Sequence, residues 1–212
     1  MNKKLIRILI IVVIIACVGG GLYYFTHRSS SIGLNDDIIN EDNKENNLDI
    51  DDKKVLVVYF SESGNTQKLA KTISDEVGGD FRRIEPVTPY PSGQELYDYT
   101  EAERDNDERP EFKDLGVNMD DYDLVFVGYP MWWYTLPMIM YTFFDEYDFS
   151  GKTIIPFNTH EGSGDGGTYT TIKEFEPEAT VLDGLAIRGG DMQSEQTDKV
   201  IQWLGEIGLK SN

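Results

Sequence analysis

Cysteine occurs once, at Cys17, so the chain can close no intrachain disulfide and build no cysteine-rich zinc or iron–sulfur site. Histidine occurs twice, at His27 and His160, too few for a multi-histidine metal site. Basic residues are scarce: 19 Lys and Arg stand against 38 Asp and Glu, for a net charge of −19. A phosphate backbone needs a basic footprint, so no nucleic-acid partner is expected; a basic protein partner suits the charge better. Neither GxxxxGK[ST] nor GxGxxG is present, and no internal repeat is visible. Hydrophobic residues make up 40% and aromatics 12%, enough to exclude global disorder. At 212 residues the chain is long enough for one domain plus an appendage.

One long apolar run exists. Ile8 to Phe25 carries no charge over 18 residues, close to the ~20 that cross a bilayer as a helix. Lys3, Lys4 and Arg7 precede it, Tyr23 and Tyr24 sit where an interfacial aromatic belt belongs, and mostly acidic residues follow Arg28. The expectation is a membrane anchor or signal segment over 1–28, with the N-terminus cytoplasmic and the rest of the chain outside. Ile14-Ile15-Ala16-Cys17 also resembles a lipobox, and cleavage there would leave a lipoprotein lipidated at Cys17. Residues 29–52, rich in Ser, Asn, Asp and Glu, read as a flexible acidic linker.

From 53 to 212 the pattern changes to alternating strand and helix. Val55–Phe60, Leu124–Tyr129 and Thr153–Phe157 are near-continuous apolar runs, as expected of strands buried on both faces. Phe81–Ile84 is a weaker edge strand, and either Thr180–Leu182 or Leu185–Ile187 supplies the last. Helices are expected over Asn65–Val77, 93–108, Pro137–Tyr147, Thr168–Phe175 and Gln193–Ile207. The order βαβαβαβαβα implies an α/β, doubly wound parallel sheet, whose ligands bind beyond the strand C-termini.

Three loops at those ends carry chemistry. Ser61-Glu62-Ser63-Gly64-Asn65-Thr66 joins the first strand to its helix. Its hydroxyls, its glycine turn and the helix N-terminus make a cradle for an anion, with no Lys or Arg inside the loop. Gly128-Tyr129-Pro130-Met131-Trp132-Trp133-Tyr134 puts three large aromatics just past a strand end, for core packing or for a flat ligand. Thr159-His160-Glu161-Gly162-Ser163 and the glycines after it permit close backbone approach, or serve as a connector. Tyr90-Pro91 and Arg109-Pro110 read as solvated turns, with an approach of Arg109 to the site as the alternative; Met138 and Met140 read as core, and the acid runs at 101–108 and 120–123 as solvated faces or helix caps.

Ser61, Ser63, Gly64, Asn65 and Thr66 resemble the (S/T)x(S/T)GNT phosphate loop of flavodoxins and flavodoxin-like FMN proteins. The resemblance runs from about Val55 to Ile207. It implies FMN as cofactor and a five-stranded sheet of order 2-1-3-4-5. It further implies that Met131, Trp132, Trp133 and Tyr134 line the flavin, with backbone groups of Pro130 to Trp132 near its reactive edge. Thr159, His160, Glu161, Gly162 and Ser163 would then face the isoalloxazine and its pyrimidine edge, with His160 the one candidate for a catalytic role.

The leading expectation is a membrane-tethered electron carrier with FMN, passing electrons to a redox partner protein or a small-molecule acceptor. The alternatives are an NAD(P)H-dependent FMN reductase of quinones, free flavins or other small acceptors, and a binding module that has lost the flavin. Beyond residue 50 the chain keeps 32 acids and 14 bases, the 38 and 19 of the whole less the 6 and 5 of the first fifty, so the domain carries −18. That charge opposes a further negative charge on the flavin and implies a low potential for the last electron it accepts.

Overall fold

The computed structural model describes Ile50 and residues 52–209. The apolar run Ile8–Phe25, Cys17 and most of the linker lie outside the described residues. Among the described residues no helix is long and apolar enough to cross a membrane, and no cluster of metal-ligating side chains occurs.

The strands are β1 (Val55–Tyr59), β2 (Asp80–Arg83), β3 (Leu124–Pro130), β4 (Thr153–His160), β5 (Thr180–Val181) and β6 (Leu185–Arg188). The helices are α1 (Asn65–Val77), α2 (Gln94–Asp105), α3 (Met138–Glu146), α4 (Thr168–Phe175) and α5 (Thr197–Glu206). All strand pairs are parallel, in the order β2-β1-β3-β4-β5, with β6 also on β4. This is the expected 2-1-3-4-5 sheet. Both candidate segments for the last strand belong to it: β5 pairs with Thr153 and Ile154, and β6 with Phe157 to His160. The ladder breaks opposite Pro156, which has no N–H to give a neighbour. Gly184 crosses the break, where a Cβ would lie 2.6 Å from the Pro156 carbonyl oxygen.

Alternation along β1 divides the core. Val55, Val57 and Tyr59 face α1 and α5, with Leu69, Ile73, Val200 and Leu204 against them. Leu56, Val58 and Phe60 face the other side, with Phe143, Phe144 and Ile172 from α3 and α4. Met138 and Met140 are buried, as the sequence implies. Three expectations change. Residues 93–108 form a helix only over Gln94–Asp105, and of Gln193–Ile207 only Thr197–Glu206 is helix α5, Gln193 being the end of a 3-10 turn that starts at Gly189. Tyr90 is buried rather than part of a solvated turn, in the cluster that contains Phe60.

Candidate functional site

The C-terminal ends of β1, β3, β4 and β6 bring the loops together. Gly64 takes φ +89° as N-cap of α1, and no side chain caps this helix, so its first-turn N–H groups are left for an outside acceptor. Ser61 is buried, and its Oγ accepts from Gly64 N at 3.2 Å, closing the turn. Ser63 is exposed at the lip. Thr66 is buried and shares a 2.8 Å hydrogen bond with the Thr159 hydroxyl, tying the first loop to the end of β4. Sequence reasoning missed Arg83. At the end of β2, opposite Tyr59, it donates to the Ser61 carbonyl at 3.0 Å and brings a positive charge to the first loop. The parallel β1–β2 register is the signal that could have found it.

The second loop is a tight hairpin. Trp132 and Thr135 exchange backbone hydrogen bonds at 3.2 and 2.9 Å around Trp133 (φ 52°) and Tyr134 (φ 61°). Two left-handed central residues define a type I′ turn, a geometry that favours Asn-Gly, and each bulky residue there costs about 1–3 kcal/mol. The three aromatics part company. Trp132 packs edge-on against Phe60 and Tyr90, each at 5.3 Å between centroids. Trp133 donates through Nε1 to Thr100 Oγ1 on α2 at 3.0 Å and lies under Arg104. Tyr134 is 79% exposed. Pro130 ends β3, and Met131 N donates to Thr159 O at 2.7 Å.

Thr159 and His160 belong to β4 itself rather than to the loop. His160 Nδ1 accepts from Gly162 N at 2.9 Å, which leaves its ring proton on Nε2, a donor pointing away from the turn. Asn158, fully buried, donates to Gly164 O at 3.0 Å and accepts from Tyr169 OH at 2.6 Å. Tyr129 OH and Thr168 share a 2.8 Å bond. Burial pushes the hydroxyls of Tyr129 and Tyr169 well above their ordinary value, so both stay neutral. Gly166 sits against the second loop, where a Cβ would be 3.3 Å from Met131 Cε. Glu161 is exposed, Gly162 takes φ +137°, and Ser163 is half-buried.

A fourth loop escaped the sequence reading. Gly189 follows β6, and a Cβ there would lie 2.3 Å from Glu161 Oε1 and 2.8 Å from Asn65 Nδ2. The glycine pair just past a candidate strand was the available signal. Arg109 does not reach the cradle; it pairs with Asp107 and Asp145 and covers Tyr141.

Hydroxyls and an uncapped helix end fit a phosphate, and flat side chains at the neighbouring strand end fit a planar ring. Fold and site define an α/β protein whose strand C-termini suit a phosphorylated, flat-ringed group. The Flavodoxin family model matches residues 54–207, and the chain belongs to that family. A flavoprotein of Bacteroides eggerthii DSM 20697 is similar in structure: 32% identity, TM-score 0.67, covering 74% of this chain and 99% of that one. A flavoprotein in complex with FMN from Lactobacillus acidophilus NCFM shares the fold, at 22% identity and TM-score 0.56, over 69% of this chain and 97% of its own. The flavodoxin-like domain-containing protein BilS of Clostridioides difficile (strain CD3) is 33% identical over 76 residues. That match takes in 36% of this chain but only 30% of BilS, well under two thirds of that relative's length. FMN is the cofactor that family membership and these side chains together call for.

Proposed function

We propose that the chain is a membrane-tethered flavodoxin-like electron carrier. The observation that carries the reading is the uncapped N-terminus of α1 inside a hydroxyl loop, bonded through Thr66 and Thr159 to the strand end that bears His160. Ser61, Ser63, Gly64, Asn65 and Thr66 would hold the FMN phosphate, with Arg83 adding charge at the first loop. Met131, Trp132 and Tyr134 would flank the ring, and the backbone from Pro130 to Trp132 would face its edge. Thr159, Glu161, Gly162 and Ser163 would border the pyrimidine side, and His160 Nε2–H would donate to a ring acceptor.

The flavin supplies the electron chemistry; the protein binds it, orients it and sets its potential. Neutral donors and buried, un-ionised tyrosines exclude water without adding a base. The acidic surround disfavours extra negative charge on the bound group. The basic residues before Ile8–Phe25 support a cytoplasmic N-terminus with the domain outside, delivering electrons to a basic partner or a small acceptor. An NAD(P)H-dependent reductase is the second reading, favoured by the largely exposed Tyr134, a flank held by little packing and so displaceable by a nicotinamide. Purified full-length chain with added FMN is expected to keep a bound-flavin spectrum. Rapid anaerobic bleaching by NADPH selects the reductase, its lack the carrier, and a colourless chain rejects both.

A further inference from the structure

Glu103 sits on the inner face of α2, only 2% exposed, in a run of acids that the sequence reads as solvated. Its Oε2 accepts from Tyr90 OH at 3.1 Å. Tyr90 in turn stands edge-on to Trp132, 5.3 Å away at 89°. One turn earlier on the same face, Thr100 holds the Trp133 indole N–H. One helix face therefore holds the Trp133 indole directly and backs the Trp132 indole through Tyr90, on the two sides of the type I′ turn that carries Tyr134.

Among the described residues no cation pairs with this carboxyl. Arg104, its neighbour on α2, pairs with Glu101 and Asp105 and lies over Trp133. Arg109, from the segment after α2, is committed to Asp107 and Asp145. Glu108 and Glu111 on that segment are acidic, and Glu108 N donates to the Glu103 backbone carbonyl at 2.9 Å. From the loop before α2 come only Thr88 and the phenol of Tyr90, which itself feels Glu62. Tyr99 on α2 adds a ring against Tyr90. A cavity of about 230 Å³ between Thr88, Tyr99, Glu108 and Arg109 reaches Glu103 and gives a proton a route from solvent.

We propose that Glu103 is a positioning residue of the flavin site, holding the indole turn through Tyr90 and taking up a proton in step with electron entry into the flavin. The proposal rests on the FMN reading. The balance is simple: a donor, dithionite in the test, gives one electron to the flavin, and one solvent proton converts the Glu103 carboxylate to the acid. No other bond forms or breaks. The added negative charge on the flavin favours the neutral acid, and by reciprocity the neutral acid favours the electron. Burial, with Glu108 adding to it against the Tyr90 hydrogen bond, lifts this carboxyl to about 7. Both forms are therefore populated at neutral pH.

The test uses the full-length chain as wild type, E103Q and Y90F. In the flavin-free state, indole emission is followed over about pH 5 to 9, either side of the carboxyl's titration. Wild type is expected to show a transition near pH 7. E103Q, which keeps a polar partner for Tyr90, is expected to lose it. Y90F, which removes the bond favouring the charged form, moves it to higher pH. With FMN bound, the midpoint potential of wild type bends with pH near the same point, and the bend is gone in E103Q. An indole transition unchanged in E103Q overturns Glu103 as the titrating group. Superimposed potential–pH curves overturn the coupling. A chain that retains no FMN overturns the FMN reading and the coupling with it, while the flavin-free transition separately reports the hold on the indoles.

Discussion

Tyr134→Gly separates the strain of the indole turn from its use. Tyr134 occupies the second central position of a type I′ turn at φ 61° and is 79% exposed, so its ring contributes little packing. Relief of a left-handed bulky residue is worth about 1–2 kcal/mol. The extra freedom of glycine in the unfolded chain takes back about 0.5–1 kcal/mol. The net expectation is a gain of about 0–1.5 kcal/mol in the flavin-free protein, read as a higher urea midpoint at unchanged slope. FMN binding moves the opposite way. Loss of one aromatic contact to the ring removes about 0.5–1.5 kcal/mol, or about 2- to 12-fold in Kd, read by flavin fluorescence titration. Destabilisation of the flavin-free protein would show that the turn is unstrained, and an unchanged Kd would show that Tyr134 takes no part in holding the ring.

Other substitutions probe the frame. Thr66→Ala leaves the Thr159 hydroxyl without its buried partner and is expected to cost about 1–3 kcal/mol in chemical denaturation; no loss would mean that the first loop and β4 are not tied there. Gly128→Ala puts a Cβ 2.2 Å from the Phe157 ring and is expected to destabilise by about 1–3 kcal/mol, with a lowered Tm as the readout. Gly189→Ala meets only the side-chain ends of Glu161 and Asn65, so it should preserve stability and weaken FMN; a large drop in Tm would contradict that. Because Glu103 is raised above its ordinary 4.5, the folded state holds its proton to higher pH than the unfolded chain does. Its share of stability is therefore present below pH 4.5 and is lost as pH rises to about 7, and E103Q should flatten that fall in urea midpoints. Salt that screens the −18 domain should raise the flavin's reduction potential, and a salt-independent titration would remove the acidic surround from the account.

The sheet was legible because buried parallel strands leave short apolar runs that alternate with helical spacing from residue 53 onward. Val55–Tyr59 and Leu124–Pro130 show this, and α1 begins and ends where Gly64 and Gly78 place it. The phosphate loop was legible because hydroxyls, glycine and helix start are contiguous in sequence. What escaped is what the fold assembles from a distance. Arg83 and Gly189 reach the cradle only through strand neighbours, across 22 residues in the case of Arg83 and Ser61. Glu103 escaped for another reason. It is flanked by Glu101, Arg104 and Asp105, and only its spacing of three from Thr100 marks the inward face. The separate fates of Trp132 and Trp133 depend on φ 52° at Trp133, a conformation that side-chain pattern does not encode.

The central claim is that the opening of α1 receives the phosphate of FMN, and parallel titration of the full-length chain with FMN and riboflavin tests it most directly. Charge-assisted hydrogen bonds contribute about 1.5–3 kcal/mol each, so one to two of them predict FMN saturating at one per chain and binding at least about tenfold more tightly than riboflavin. Equal affinity for the two, or no saturable binding of either, would contradict the account.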